Sequence, residues 1–237
     1  MELRRGNVAE ITRGLLDQLG QFSTPSIANA IETFDIQPRD QGFMAPDIKC
    51  MFPSLGNMVG HAVTAVITAK DKSAEYMEES NEDYFNMILS VPEPRVMVIQ
   101  DLDYPNPIGS FWGEVNANIH KALGCLGLVT DGGVRDLDEM LDLGFFAFAS
   151  EVLVSHAYVH IVDMGVPVTV GGLQVNNGDI IVGDKHGVLS VPNSIAADVP
   201  GATRRVEESE QALISLCQSL DFTVEKLNAL FEEMSGG

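Results

Sequence analysis

Basic residues are scarce in this chain: 14 Lys and Arg stand against 34 Asp and Glu, a formal net charge of −20 over 237 residues. Phosphate backbones and anionic lipid surfaces are held by clustered Lys and Arg, so the balance argues against nucleic acid and membrane as partners. It also makes any arginine beside an apolar strand informative, and Arg135 follows one. Cysteine is thin as well. Cys50, Cys125 and Cys217 are scattered, odd in number and without C-x-x-C spacing, and read as small buried hydrophobes of a reducing compartment. No apolar run approaches the ~20 residues of a membrane span. The first 22 residues lack an apolar signal core and a small-residue cleavage site. The expected location is the cytoplasm. A serine nucleophile elbow, a phosphate-binding lysine loop and a dinucleotide fingerprint are all missing.

What is present is ordinary globular material, 45% hydrophobic and 20% charged, with enough length for a well-filled core. Val8, Ile11, Leu15, Leu16 and Leu19 repeat at helical spacing and predict a helix over 8–19. Ser23-Thr24-Pro25 reads as the start of a second helix, reaching about Phe34. A short strand is expected at 48–52 and a strong one at 61–69, where β-branched residues dominate. The acidic stretch 70–83 reads as a solvated loop running into a helix that ends near Leu89. Residues 95–100 form a continuous apolar run of the kind buried on both faces in parallel sheets. A helix near 114–123, a strand at 126–129, a helix at 137–143 stopped by Gly144 and a strand at 145–148 continue the alternation. Past Glu151, short strands separated by Gly, Asn and Asp favour antiparallel pairing, with Asn176-Asn177-Gly178 as a hairpin-type turn. Helices are expected from Ser194 to about Leu220 and from Thr223 to Met234. The expected fold is α/β: mixed sheets with helices in one domain, 1–193, and a helical C-terminal extension of the same domain, 194–237.

The chemistry is expected between Gly109 and Met140. A glycine loop opens a helix at Gly113, and an apolar strand then delivers Arg135 and Asp136 to the start of another helix. Helix N-termini carry unpaired N–H groups, and glycine lets a ligand approach the backbone, so Gly113 suits an anion; it suits a plain loop-to-helix turn too. Asp136 is followed three residues later by Glu139, the pattern of a helix cap. As a hard oxygen donor it equally suits Mg²⁺ or Mn²⁺, which accept one protein carboxylate plus waters. Arg135 offers a fork for a substrate carboxylate, or a surface partner for Asp131, Asp138 or Glu139. His156 and His160 stand four apart but in a strand-like run with no third ligand. Asp184 and His186 fall at a turn.

The run WGEVNANIHKALGCLGLVTDGGVRDLDEM resembles the signature of the class II 4-hydroxy-4-methyl-2-oxoglutarate aldolases, whose fold family includes the regulator of ribonuclease activity A. TPSIANAI and NNGDIIVGDKHGVLSVP are looser echoes, and the likeness spans about residues 24–192. The resemblance implies a swivelling β/β/α-type domain, a homotrimer or hexamer with sites between subunits, and a metal-dependent lyase. That lyase would release pyruvate from a 4-hydroxy-2-oxo acid through an enolate, with oxaloacetate decarboxylation through the same enolate. Carried over by position, Gly113, Glu114, Val115, Asn116 and Arg135 would hold the pyruvate end, and Asp136 would ligate Mg²⁺ or Mn²⁺ beside Arg135 as the catalytic pair. The chain departs from the family pattern at Asn29, where many members have aspartate, and at Val115 and Asn116, where the aldolases carry leucines. A non-catalytic protein-binding regulator and a lyase for another 2-oxo acid stay open. Proton transfer in the lyase scheme is expected through a metal-proximal water; the residues alone name no general base, and Glu114 is the candidate carboxylate.

Overall fold

The computed structural model describes residues 11–70 and 81–235. Two short helices, α1 (Arg13–Leu19) and α2 (Thr24–Glu32), come first, then β1 (Lys49–Cys50) and a single turn at Pro53–Leu55. An alternating run follows: β2 (Met58–Thr68), α3 (Asn81–Ser90), β3 (Arg95–Asp101), α4 (Glu114–Ala122), β4 (Cys125–Val134), α5 (Leu137–Leu143) and β5 (Phe146–Val152). The short strands are β6 (His160–Met164), β7 (Val168–Val170), β8 (Leu173–Val175), β9 (Ile180–Asp184) and β10 (Gly187–Val191). Helices α6 (Val199–Gln218) and α7 (Val224–Ser235) close the chain.

Strands β2, β3, β4 and β5 lie parallel, as α-helical crossovers require. Around them the order is β1-β5-β4-β3-β2-β9-β10, with β6 sharing the free side of β2 with β9, while β7 and β8 form a separate hairpin. The sheet is mixed and curls nearly into a barrel. Its curvature shows where β5 meets β9: the Phe148 ring fills the place a Cβ on Gly183 would take, with ring atoms from 2.7 Å.

Strand side chains alternate between two interiors. Met58, Ala62, Val96, Val98, Val129, Phe148 and Ile181 face the inside of the curl, which the β7–β8 hairpin helps to cover. Val63, Ala65, Met97, Ile99, Leu128 and Ala147 face outward beneath α3, α4 and α5. A third cluster joins α1, α2 and the start of α6 to the outer face of β9 and β10 through Leu16, Leu19, Ile27, Val182 and Val199. The predicted helix start at Ser23 is present: its hydroxyl accepts from Ser26 N–H at 3.2 Å, and Pro25 occupies the first turn, where its missing N–H costs nothing.

Some expectations change. Strand β4, expected over 126–129, runs on through Asp131, Gly132 and Gly133, which lie in a strand irregularity. There the glycines permit close approach: a Cβ on Gly133 would meet Leu153 Cδ1 at 2.5 Å and one on Gly132 would meet Asp101 Oδ2 at 2.6 Å. Asn176-Asn177-Gly178 makes a turn, with Asp179 N–H donating to Asn176 O, but no hairpin, because β8 pairs with β7 and β9 with β2. Helix α6 begins at Val199 instead of Ser194, Pro200 fitting its first turn. Of the cysteines only Cys125 is buried; Cys50 is half-buried and Cys217 exposed. Most of the acidic stretch, 71–80, and the first positions of the predicted N-terminal helix lie outside the described residues. Among the described residues no helix is long and apolar enough to cross a membrane.

Candidate functional site

The parallel strands β3, β4 and β5 bring their C-terminal ends to one side of the sheet, the side where ligands of open α/β sheets bind. Gly113 ends the loop after β3 and opens α4, and Trp112 runs alongside Val134 so that Arg135 N–H donates to Trp112 O at 3.1 Å. This pairing sets Gly113 directly against Arg135 and Asp136. A Cβ on Gly113 would collide with Asp136 Oδ2 and stand 3.1 Å from Arg135 Nε. Only hydrogen fits there.

Asp136 takes a left-handed backbone, φ 54° and ψ 50°, costly for a residue with a Cβ. The aspartate does not cap its own helix α5. Its Oδ2 instead accepts from Glu114 N–H at 2.9 Å, capping α4, and stands 3.6 Å from Arg135 Nε. The carboxylate thus caps the neighbouring helix with one oxygen. Among the described residues its Oδ1 has no hydrogen-bond partner, and the side chain is about one-third exposed (36%). Arg135 pairs with Asp136 rather than Asp131, Asp138 or Glu139, which leaves its two terminal nitrogens uncommitted among the described residues. It is not the buried arginine among the described residues. That is Arg95, which donates to the carbonyls of Val91 and Leu123 at 2.6 Å each and pairs with Glu93.

Past Glu114, the N–H groups of Val115 and Asn116 fall in the first turn of α4 and have no intrahelical acceptor. They border a cleft of about 640 Å³, open to solvent, lined among others by Phe111, Gly113, Val115, Asn116, Arg135 and His156. The Glu114 side chain is exposed outside that lining. Asn116 is held by its Nδ2 donating to Phe111 O at 2.5 Å. Underneath, His120 Nδ1 donates to Asn116 O at 2.7 Å and His120 Nε2 accepts from Tyr84 at 2.8 Å. Burial pushes this histidine down to about 4, so it stays neutral and fixes α4 on α3. Gly109 does not line the cleft. Its missing Cβ makes room for His156 O, Ala69 and Ala157, and so seats the loop between β5 and β6.

A divalent cation has a modest place here. Among the described residues no three His, Cys, Asp or Glu side chains gather as a metal cage. The free Oδ1 of Asp136 is a single hard oxygen donor, which fits Mg²⁺ or Mn²⁺ retaining most of its waters and does not fit zinc. His156 and His160 do not converge as ligands: His160 is buried in β6, its Nδ1 bonded to Tyr158 O, while His156 faces the cleft. At the ends of β3 and β4 lies a carboxylate group that sequence reading missed. Asp131 Oδ1 accepts from Asp101 N–H at 2.7 Å, and Asp101 Oδ1 from Asp103 N–H at 2.9 Å. The D-x-D closing the apolar run of β3 was its one visible signal.

A family model described as "RraA-like: Aldolase/RraA" matches residues 24–190. A Halalkalibacterium halodurans protein named "Putative 4-hydroxy-4-methyl-2-oxoglutarate aldolase" is 29% identical over 101 residues, covering 42% of this chain and 48% of that one. The chain spans between about a third and a half of the length of the curated relatives it matches. An uncharacterized protein from Pseudomonas syringae pv. tomato shares the fold with a TM-score of 0.74 at 25% identity, over 94% of this chain and 96% of that one. RraAS2 of Streptomyces coelicolor, described as an unusual member of the RNase ES inhibitor RraA family, shares it with a TM-score of 0.64 at 21% identity, over 85% and 97%. The resemblance in the 113–136 run and the mixed, nearly closed sheet therefore meet in one assignment: the chain belongs to the RraA-like (Aldolase/RraA) family, which takes in aldolase-type lyases and ribonuclease regulators.

Proposed function

We propose that this protein is a lyase that cleaves a 4-hydroxy-2-oxo acid, of the 4-hydroxy-4-methyl-2-oxoglutarate type, to pyruvate. The observation that carries the reading is one cleft lined by Arg135, whose terminal nitrogens are uncommitted among the described residues, and by Val115 and Asn116 in the first turn of α4, with Asp136 set against the lining residues Gly113 and Arg135. Arg135 would take the 2-oxo acid's carboxylate in a bidentate fork. The N–H groups of Val115 and Asn116, at the positive end of α4, would hold the oxygens of the pyruvate end. Asp136 would hold Mg²⁺ or Mn²⁺ through Oδ1 while Oδ2 keeps its bond to Glu114 N–H. When bound, such a cation supplies Lewis-acid stabilisation of the negative charge that builds on the substrate oxygens. Catalysis by this site is then mainly fixed positive charge aimed at a developing enolate. Oxaloacetate decarboxylation passes through the same enolate and belongs to the same site.

The assembly that goes with this reading is a homotrimer or hexamer with sites between subunits. It is supported by exposed apolar side chains on the segments that build the cleft: Val115, in its lining, is 71% exposed, and Val154 and Tyr158, two residues either side of His156, are 96% and 57% exposed. A neighbouring copy would cover such side chains.

Pyruvate release from a panel of 4-hydroxy-2-oxo acids and oxaloacetate, with Mg²⁺, Mn²⁺ or EDTA, tests the reading. Asp136→Ala should abolish metal-dependent turnover and leave the circular dichroism spectrum unchanged. Full activity in that variant, or in EDTA, overturns the assignment. Silence of the parent protein on every substrate would leave the regulator reading as the stronger one.

A further inference from the structure

The site described so far supplies positive charge but no group to move a proton, and cleavage of a 4-hydroxy-2-oxo acid must remove one from the C4 hydroxyl. Resting on the lyase reading, the geometry points to His156 as the catalytic base of the cleft. Among the residues lining it, Arg135 is permanently cationic and Asn116 does not titrate. The Ser110 hydroxyl is spent on Trp112 O at 2.6 Å and Gly133 O at 2.8 Å. Glu114 lies outside the lining, and Asp136 Oδ2 is engaged by Glu114 N–H. His156 is the one lining side chain among the described residues whose ring can both accept and return a proton.

Its tautomer is set by the fold. His156 Nδ1 lies 2.7 Å from Ala157 O, and a carbonyl can only accept, so Nδ1 carries the proton and Nε2 is left with a lone pair. Ala157 adopts a left-handed backbone, φ 44°, and its N–H donates to Ser155 Oγ at 3.0 Å. Ser110 N–H donates to Ser155 O at 2.9 Å, and Gly109 leaves no space between itself and His156 O. The β5–β6 loop is thus fastened to the segment that leads into Gly113. A strained residue, a paired serine and a glycine contact together hold the loop whose imidazole lines the same cleft as Arg135, the kind of local cost that persists when a side chain must be aimed.

The step balances within the site. Nε2 accepts the C4 hydroxyl proton, the C4–O bond becomes a carbonyl, and the C3–C4 pair moves into the C2–C3 bond as an enolate. The imidazolium then returns the proton to C3, giving pyruvate and restoring the neutral ring. Decarboxylation of oxaloacetate needs no proton removed before its C–C bond breaks, so it does not need His156 for that step.

His156→Asn decides it, because the Asn amide keeps a donor for Ala157 O while removing Nε2. Cleavage of the best 4-hydroxy-2-oxo acid should fall by about 10²–10⁴-fold. Hydrogen–deuterium exchange at the methyl of pyruvate, followed by NMR, should slow with it. Oxaloacetate decarboxylation, read as release of CO₂ before the enolate is protonated, should fall far less than aldol cleavage, and pyruvate affinity should stay near the parent value. In His156→Ala, added imidazole should restore part of the aldol cleavage. Equal aldol rates in parent and His156→Asn, or parallel loss of both reactions with loss of pyruvate affinity, overturn the role of His156 and leave the lyase reading standing. A parent protein inactive on both reactions overturns the lyase reading and this role with it.

Discussion

At the scale of single residues, the site depends on an atom that is absent. Asp136 can reach Glu114 N–H only because Gly113 has no Cβ, the carboxylate lying against the place that atom would take. Gly113→Ala should therefore push Asp136 off the start of α4. The lost cap is worth about 1 kcal/mol, a Tm drop of about 2–4 °C for a chain of this size. Turnover should fall much further than stability, since Arg135 moves with its neighbour. Thermal melts beside pyruvate-release assays check the split, and a melt lowered in proportion to activity would make Gly113 a packing residue only. Gly113, Arg135 and Asp136 stand out from spacing because a glycine, a helix, a strand and an Arg-Asp pair follow one another with little between. His156 does not. Its place depends on a loop from β5 folding back on Ser110, and nothing in the run around it announces that contact. Arg135 also reads as a buried arginine from its place after an apolar strand, when the long donor list of the buried cation belongs to Arg95.

At the scale of elements, the turn between β9 and β10 is tied to the start of α2 by one carboxylate. Asp184 accepts from Thr24 N–H at 2.9 Å, Thr24 Oγ1 at 2.6 Å and His186 N–H at 2.8 Å, and also faces His186 Nδ1. Burial pushes its pKa up, but the bonds from Thr24 and His186 outweigh burial and hold it below the usual carboxylate range. Asp184→Ala strands these donors, each buried unpaired group costing about 1–3 kcal/mol. The urea midpoint of unfolding should drop accordingly near neutral pH. Because the folded-state pKa is depressed, the contribution is present above the unfolded value and lost as pH falls through the folded one. The difference between parent and variant should shrink in acid, and a pH-independent difference would point to lost packing instead. The strands and helices of this region are largely readable from alternation and turn residues, while their pairing is not. Asn176-Asn177-Gly178 signals a reversal without naming the partner strand. The partner is β2, joined by Thr64 N–H donating to Asn177 Oδ1 at 3.1 Å and Gly178 N–H to Ala62 O at 2.8 Å. A similar distant contact holds Asn29: its amide donates to Glu210 of α6 at 3.1 Å, where an aspartate would be repelled.

At the scale of the whole molecule, a chain with net charge −20 buries part of its excess. The curl of the sheet is not visible in periodicity, because it is set by meetings such as Phe148 with Gly183 between distant strands, while the parallel pairing of β3 with β4 sets Asp101 beside Asp131 at their ends. Asp101 is 2% exposed, and its Oδ2 has no partner among the described residues. Burial pushes Asp101 up to about 6, against a backbone bond from Asp103 N–H and with the added repulsion of Asp103. Burial likewise pushes Asp131 up to about 7, against the bond from Asp101 N–H and with added repulsion from Asp101 and Asp47. Unfolded aspartates titrate near about 3.9. From about pH 4 to 7 the folded chain therefore keeps protons that the unfolded chain releases, so this pair's contribution to stability declines as pH rises through that window. The Asp184 contribution has the opposite sign and is spent in the more acidic range, so the two are separable. Asp131→Asn keeps an oxygen to accept from Asp101 N–H while removing the charge, and every tenfold difference in proton affinity between folded and unfolded chain is worth about 1.4 kcal/mol. Urea unfolding should show the variant more stable than its parent at about pH 8, with the gap closing toward pH 4. A variant with no advantage at the alkaline end would mean that the Asp131 carboxylate is compensated there by solvent or a bound cation, and that the strand ends are a wetter, more ligand-like place than their burial suggests.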